Sequence, residues 1–155
     1  MTNIQLQTGP LPAQFILACD DPTPFSRPLA LCSVAAGFAS PAQDYIDGPL
    51  DLNEHLVHNK VATFFFRASG ESMRGESINN GDLLVVDRSI TPKHGHIVVA
   101  TVDGEFTVKK LYRRKGVVEL RPANPDFEPI CPKDGEELIV WGVVTSAVHS
   151  FGGRR

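Results

Sequence analysis

The sequence is poor in the features that would place it quickly. It has three cysteines, Cys19, Cys32 and Cys131, none at CxxC spacing. That supports neither a zinc site nor a disulfide framework, and it suits a reducing compartment. No apolar run approaches the length that spans a bilayer, and no basic region followed by an apolar core opens the chain, so a cytoplasmic location with no membrane partner is expected. Charge of either sign is modest. A formal net charge of -3 argues against a surface devoted to phosphate backbones, so little direct DNA binding is expected. No Ser/His/Asp arrangement stands out around the five histidines. His55 and His58, three apart, find no third ligand nearby. His94 and His96 flank a loop glycine. All four read as surface, with no metal and no cofactor.

What the chain does have is β-type sequence. At 155 residues and 42% hydrophobic it can fill one core. Val61 to Ala68, Leu83 to Val86, Ile97 to Val102, Glu105 to Tyr112, Val117 to Arg121 and Leu138 to Val148 are strand-like runs rich in β-branched and aromatic residues. Asp103-Gly104 marks a tight hairpin, Asn79-Asn80-Gly81-Asp82 a turn, and Gly142 a bulge or bend in the last strand. Leu50 to His58 carries a short helical pattern, with Asp51 or Asn53 as its cap and Asp47-Gly48-Pro49 as a turn before it. The fold class is therefore mostly β, an antiparallel sheet assembly.

The first 36 residues have a different texture. They hold five of the 12 prolines and few charges. Prolines at that density remove backbone donors and break helices and central strands. An extended arm lying on the body, or a loose tail, fits this composition, with residues 14–19 able to pair as one edge strand. After it, Ala35-Ala36-Gly37 is a run of minimal side chains. Such a run can thread a narrow cleft, or serve as a plain connector.

Between the apolar runs Phe64-Phe65-Phe66 and residues 83–86 lies Gly70-Glu71-Ser72-Met73. A serine in a glycine-flanked turn can be a nucleophile, since small neighbours admit a substrate backbone; it can equally be an ordinary turn residue. A nucleophilic hydroxyl needs a base. Lys109 and Lys110 interrupt an apolar strand, and alternation sends their side chains to opposite faces, so one of them faces an interior or a cleft. Burial disfavours the ammonium form, and a neutral lysine is a workable base for serine. The cluster Arg113-Arg114-Lys115 beside Tyr112 is either a solvated hairpin end or a nucleic-acid contact.

Taken in order, residues 70–73, 80–87, His94-Gly95 and residues 102–111, together with residues 36–42, resemble the UmuD proteins of the LexA-like family of self-cleaving Ser-Lys peptidases. The resemblance covers residues 35–148. It implies a LexA/UmuD-like antiparallel β-sheet peptidase domain over residues 37–155 and a cleavable extended arm over residues 1–36. It implies Ser72 as nucleophile, Lys109 as neutral general base, Ala36-Gly37 as the cut bond, and the backbone N–H groups of Glu71 and Ser72 as oxyanion donors. It further implies a serine peptidase acting on itself in the SOS response, stimulated by a RecA–single-stranded DNA filament. The trimmed homodimer would join a UmuC-type Y-family DNA polymerase in translesion synthesis. The alternative is an accessory protein that binds the polymerase without cutting itself. A repressor of this family would need a DNA-binding helix-turn-helix before the cut, for which the proline-rich residues offer no pattern. Glu76-Ser77 stands where family members often carry Gly-Gly or Asp-Gly, which predicts a differently shaped loop after the nucleophile. His96 replaces a commonly acidic or small residue, and the arm before residue 31 is longer than usual.

Overall fold

The structure is a computed structural model and describes residues 16–17, 23–30, 46–133 and 138–152. Within them eleven elements follow one another. They are β1 (Ile16–Leu17), β2 (Ser26–Ala30), β3 (Ile46–Asp51), α1 (Leu52–Leu56), β4 (Thr63–Arg67), a single 3₁₀ turn (Arg74–Glu76), β5 (Leu83–Asp87), β6 (Ile97–Val102), β7 (Glu105–Arg114), β8 (Val117–Arg121) and β9 (Leu138–Val148). Seven strands form one antiparallel sheet in the order β1-β4-β5-β9-β6-β7-β8, and β2 pairs with β3 in a separate ribbon. The expectation of a mostly β, antiparallel body holds.

The hairpins are set by their turns. Asp103 and Gly104 both take positive φ, 50° and 84°, as do Lys115 and Gly116, 51° and 79°. Two consecutive positive-φ residues make the tight turn whose twist matches that of the flanking strands. That fixes the β6–β7 and β7–β8 registers, with Val98 opposite Lys109 and Tyr112 opposite Glu119.

β9 lies between β5 and β6 and carries two register shifts, one where Gly142 is opposite Val99 and Val140 opposite Ala100, the other between Val144 and Ser146. Trp141 is the extra residue at the first shift. Its side chain joins the buried group with Phe64, Met73, Ile78, Leu84 and Val86, while Val140 and Val143 join the other group with Val98, Leu111, Leu120 and Leu138. A bulge thus lets one strand feed both cores out of strict alternation. At Gly142 a Cβ would lie 2.7 Å from Val86 Cγ1, so a glycine lets the bulged strand approach β5. The sequence expectation of a bulge or bend there is met.

One reading is corrected. Asp47-Gly48-Pro49 is not a turn before the helix but part of β3. Pro49 lies opposite Pro28 in the ribbon, which has two strands among the described residues, so each has an outer edge there where a missing N–H costs little. The edge strand expected within residues 14–19 is present, and a second strand before residue 31 pairs as well. β2 binds β3, and β1 binds β4 as an edge strand with Ile16 opposite Phe65. Helix α1 is as expected: the Asp51 carboxylate accepts the Asn53 N–H at 2.8 Å, and it also accepts the Phe25 N–H at 2.7 Å. No helix among the described residues is long and apolar enough to cross a membrane.

Candidate active site

Ser72 sits on a turn that the chain clamps from two sides. On one side, the Ala68 N–H donates to the Asp82 carbonyl at 2.8 Å and the Gly81 N–H to the Ala68 carbonyl at 2.8 Å. The Gly70 N–H donates to Asn80 Oδ1 at 3.0 Å. On the other side the 122–132 loop holds it: the Ala123 N–H donates to the Ser72 carbonyl at 2.8 Å, and the Gly75 N–H to the Ala123 carbonyl at 2.7 Å. Met73 and Ile78, at 2% and 4% exposure, anchor the turn in the core.

The Ser72 hydroxyl meets Lys109. The Lys109 Nζ lies 2.8 Å from Ser72 Oγ, 2.9 Å from Thr107 Oγ1 and 3.0 Å from the Val108 carbonyl oxygen. Lys109 is buried at 8% exposure, and burial pushes its ammonium below the ordinary lysine value. Its partners among the described residues are two hydroxyls and a carbonyl, with no carboxylate to resist that shift. A neutral amine has two N–H groups and one lone pair. The Val108 carbonyl can only accept, and Thr107 Oγ1 can accept the second N–H. The lone pair is then left for the Ser72 O–H. The arrangement can move the serine proton onto the amine. Lys110, its neighbour, turns away to pair with Glu76 at 2.5 Å. Strand alternation thus separates the two lysines into one buried and one surface residue.

The backbone around Ser72 is oriented as well. The Glu71 carbonyl accepts the Arg74 N–H at 3.2 Å and Asn124 Nδ2 at 3.1 Å. That carbonyl is the other end of the peptide unit bearing the Ser72 N–H, so pinning it fixes where the N–H points. Among the described residues neither the Glu71 nor the Ser72 N–H has an acceptor.

An open cleft of about 150 Å³ runs past this pair, walled by Phe66, Leu84, Val99, Phe106 and Val108 as well as Ser72 and Lys109. Ala36 and Gly37 lie outside the described residues, as do Cys19 and Cys32. Glu76-Ser77 follows Ser72 as a left-handed corner: Ser77 takes φ 59°, a conformation glycine adopts without cost.

The histidines do not converge on the serine. His94 Nδ1 accepts the Arg113 N–H at 3.2 Å, and His149 Nδ1 lies 2.5 Å from Asp82 Oδ1. Among the described residues no group of three or more His, Cys, Asp and Glu side chains could hold a metal ion. Beside the basic hairpin end, Arg121 lies 3.5 Å over the Tyr112 ring and pairs with Glu119 at 2.7 Å.

Residues 28–145 match the peptidase S24-like family. The chain belongs to the peptidase S24-like family. It is 48% identical over 126 residues to protein ImpA of Salmonella typhimurium, covering 81% of this chain and 85% of ImpA. It is 47% identical over 125 residues to protein MucA of Escherichia coli, covering 79% of this chain and 84% of MucA. The LexA repressor of Geobacter metallireducens is 40% identical over 119 residues, 76% of this chain and 58% of the repressor. The resemblance to UmuD-like members of the LexA-like peptidases therefore stands. Sequence reasoning misses two residues at this candidate site. Ala123 and Asn124 clamp the Ser72 turn from 51 and 53 positions downstream of the residues they bind. The asparagine between Pro122 and Pro125 is the available signal, and on its own it marks only a loop.

Proposed function

We propose that this S24 peptidase cuts its own Ala36-Gly37 bond with a Ser72–Lys109 dyad, separating an arm of residues 1–36 from a body of residues 37–155. The observation that carries the reading is the 2.8 Å approach of the Lys109 amine to the Ser72 hydroxyl inside a cleft. Neutral Lys109 takes the Ser72 proton as Oγ attacks the Ala36 carbonyl carbon. The oxyanion that forms is met by the Glu71 and Ser72 N–H groups. Lys109, now an ammonium, gives its proton to the Gly37 nitrogen as the C–N bond breaks. A water then attacks the Ala36 ester with Lys109 again as base. This frees the Ala36 carboxylate and restores the serine. The substrate is tethered, so its effective concentration is high and slow chemistry suffices.

By family resemblance, the cut belongs to the SOS response, in the cytoplasm. A RecA–single-stranded DNA filament promotes it by favouring an arm conformation already accessible. The trimmed homodimer serves a UmuC-type Y-family polymerase in translesion synthesis. Support for this part is the similarity to ImpA and MucA over most of the chain.

Mass spectrometry of the purified chain after alkaline incubation tests the proposal. Fragments ending at Ala36 and starting at Gly37 are expected, and Ser72→Ala should abolish them. An intact chain, both alone and with RecA filament, would leave the non-cleaving accessory protein as the reading.

A further inference from the structure

The cleft beside Ser72 is walled by rings. Phe66 and Phe106 both line it, with centroids 5.7 Å apart. Trp141 stands behind them, 5.0 Å from Phe66 and 6.3 Å from Phe106, edge-on to both. Leu84, Val99 and Val108 complete an apolar lining. Phe106 keeps 44% of its surface exposed at this place, so part of a ring faces solvent next to the reacting groups. Cleavage at Ala36-Gly37 makes no use of it, because alanine and glycine bury almost nothing.

The segment that must enter the cleft joins β2 to β3. Its fifteen residues, 31–45, contain two aromatic side chains, Phe38 and Tyr45. Tyr45 directly precedes β3 in sequence and is eight positions past Gly37. Phe38 is the first large side chain after the cut. In an extended strand, side chains alternate, so Ala36 and Phe38 point to the same side about 7 Å apart. With Ala36 at Ser72, Phe38 is carried along the same wall of the cleft. Rings prefer edge-to-face or offset contact with other rings, and the wall is built of them.

Resting on the self-cleavage proposed above, we infer that Phe66 and Phe106, backed by Trp141, form an aromatic subsite that takes Phe38 and so selects the segment on the leaving side of the cut bond. Ala35 to Gly37 carry minimal side chains, and Phe38 supplies the docking energy they lack. Docking raises the fraction of chains whose arm is seated, which is the fraction that reacts.

Rates of self-cleavage at alkaline pH test this in the full chain. Phe38→Ala should slow cutting about 10- to 100-fold, as expected for one lost ring burial, with Phe38→Tyr close to the parent. Phe106→Ala, at a half-exposed position, should slow it comparably. The double variant should be no slower than the worse single one, because both remove one contact. Multiplying effects, an unchanged rate in Phe38→Ala, or coupling of Phe106→Ala to Val34→Ala instead would overturn the inference. A second measurement is independent of cutting. In the Ser72→Ala chain, a benzophenone-bearing phenylalanine introduced at position 38 should cross-link to the peptides carrying Phe66 or Phe106. Cross-links confined to other peptides would overturn the subsite. A parent chain that never cuts would refute the peptidase reading, while the cross-link still decides the subsite.

Discussion

Gly75 and Ala123 are in mutual contact across the Ser72 turn: the Gly75 N–H binds the Ala123 carbonyl at 2.7 Å, and a Cβ on Gly75 would lie 2.1 Å from that oxygen. Through the same residue, the Ala123 N–H holds the Ser72 carbonyl at 2.8 Å. Ser72 is therefore positioned by a loop far away in sequence, and only a residue without a side chain permits it.

Gly75→Ala should break that clamp. The added methyl cannot coexist with the carbonyl, so the loop or the turn must move and two hydrogen bonds weaken. A loss of about 2–3 kcal/mol is expected in urea unfolding. Self-cleavage should fall more steeply than stability explains, since the Ser72 hydroxyl leaves its place against Lys109. Wild-type cutting in Gly75→Ala would contradict the positioning role.

The pH dependence of Lys109 has a definite sign. Burial lowers its folded pKa below the unfolded value, so the unfolded chain binds the extra proton between the two. Stability then rises as pH rises through that window, and below it the buried ammonium is a cost. Activity follows the neutral amine: cutting should increase with pH and level off below the ordinary lysine pKa of about 10.4. Lys109→Met should abolish cutting, raise the urea midpoint at neutral pH and flatten its rise towards alkaline pH. A midpoint with the parent's pH dependence would show that Lys109 is not the group responsible.

Asp82 supplies the acid limb. Burial alone would raise its carboxyl pKa, but the Asn79 N–H at 2.8 Å and His149 outweigh it and hold the value below the carboxylate norm. A depressed carboxyl contributes stability above its unfolded pKa and loses it as pH falls through the folded one. Asp82→Asn should cost about 1.5–3 kcal/mol near neutrality, as for lost charge-assisted bonds, and should soften the decline below pH ~4. Urea titrations from neutral to acid pH read both effects, and a parallel decline in the variant would count against Asp82.

The strands were legible because their signals are local. Strict alternation is not needed where a whole run such as Ile97–Val102 is apolar or β-branched; that strand, Val117–Arg121 and Leu138–Val148 all have the expected bounds. Asp103-Gly104 and the Asp51 cap depend on a few consecutive residues, and they too could be read directly. Strand β3 could not. Its Gly48-Pro49 carries a turn signal, and it is a strand only because β2 comes to lie beside it. The choice between Lys109 and Lys110 was similarly open on alternation alone, and resemblance, not periodicity, favoured the first.

By itself the sequence determined which residue types are available: a serine in a tight turn, a lysine pair in an apolar strand, small residues at 35–37 and an antiparallel β body. Only the tertiary structure decided which of them meet. Ser72 and Lys109 are 37 positions apart and 2.8 Å apart in space, and Ala123 reaches Ser72 across 51 positions. Propensity acts between chain neighbours, whereas proximity and burial, and with them the proton affinity of Lys109, arise only when distant strands pack.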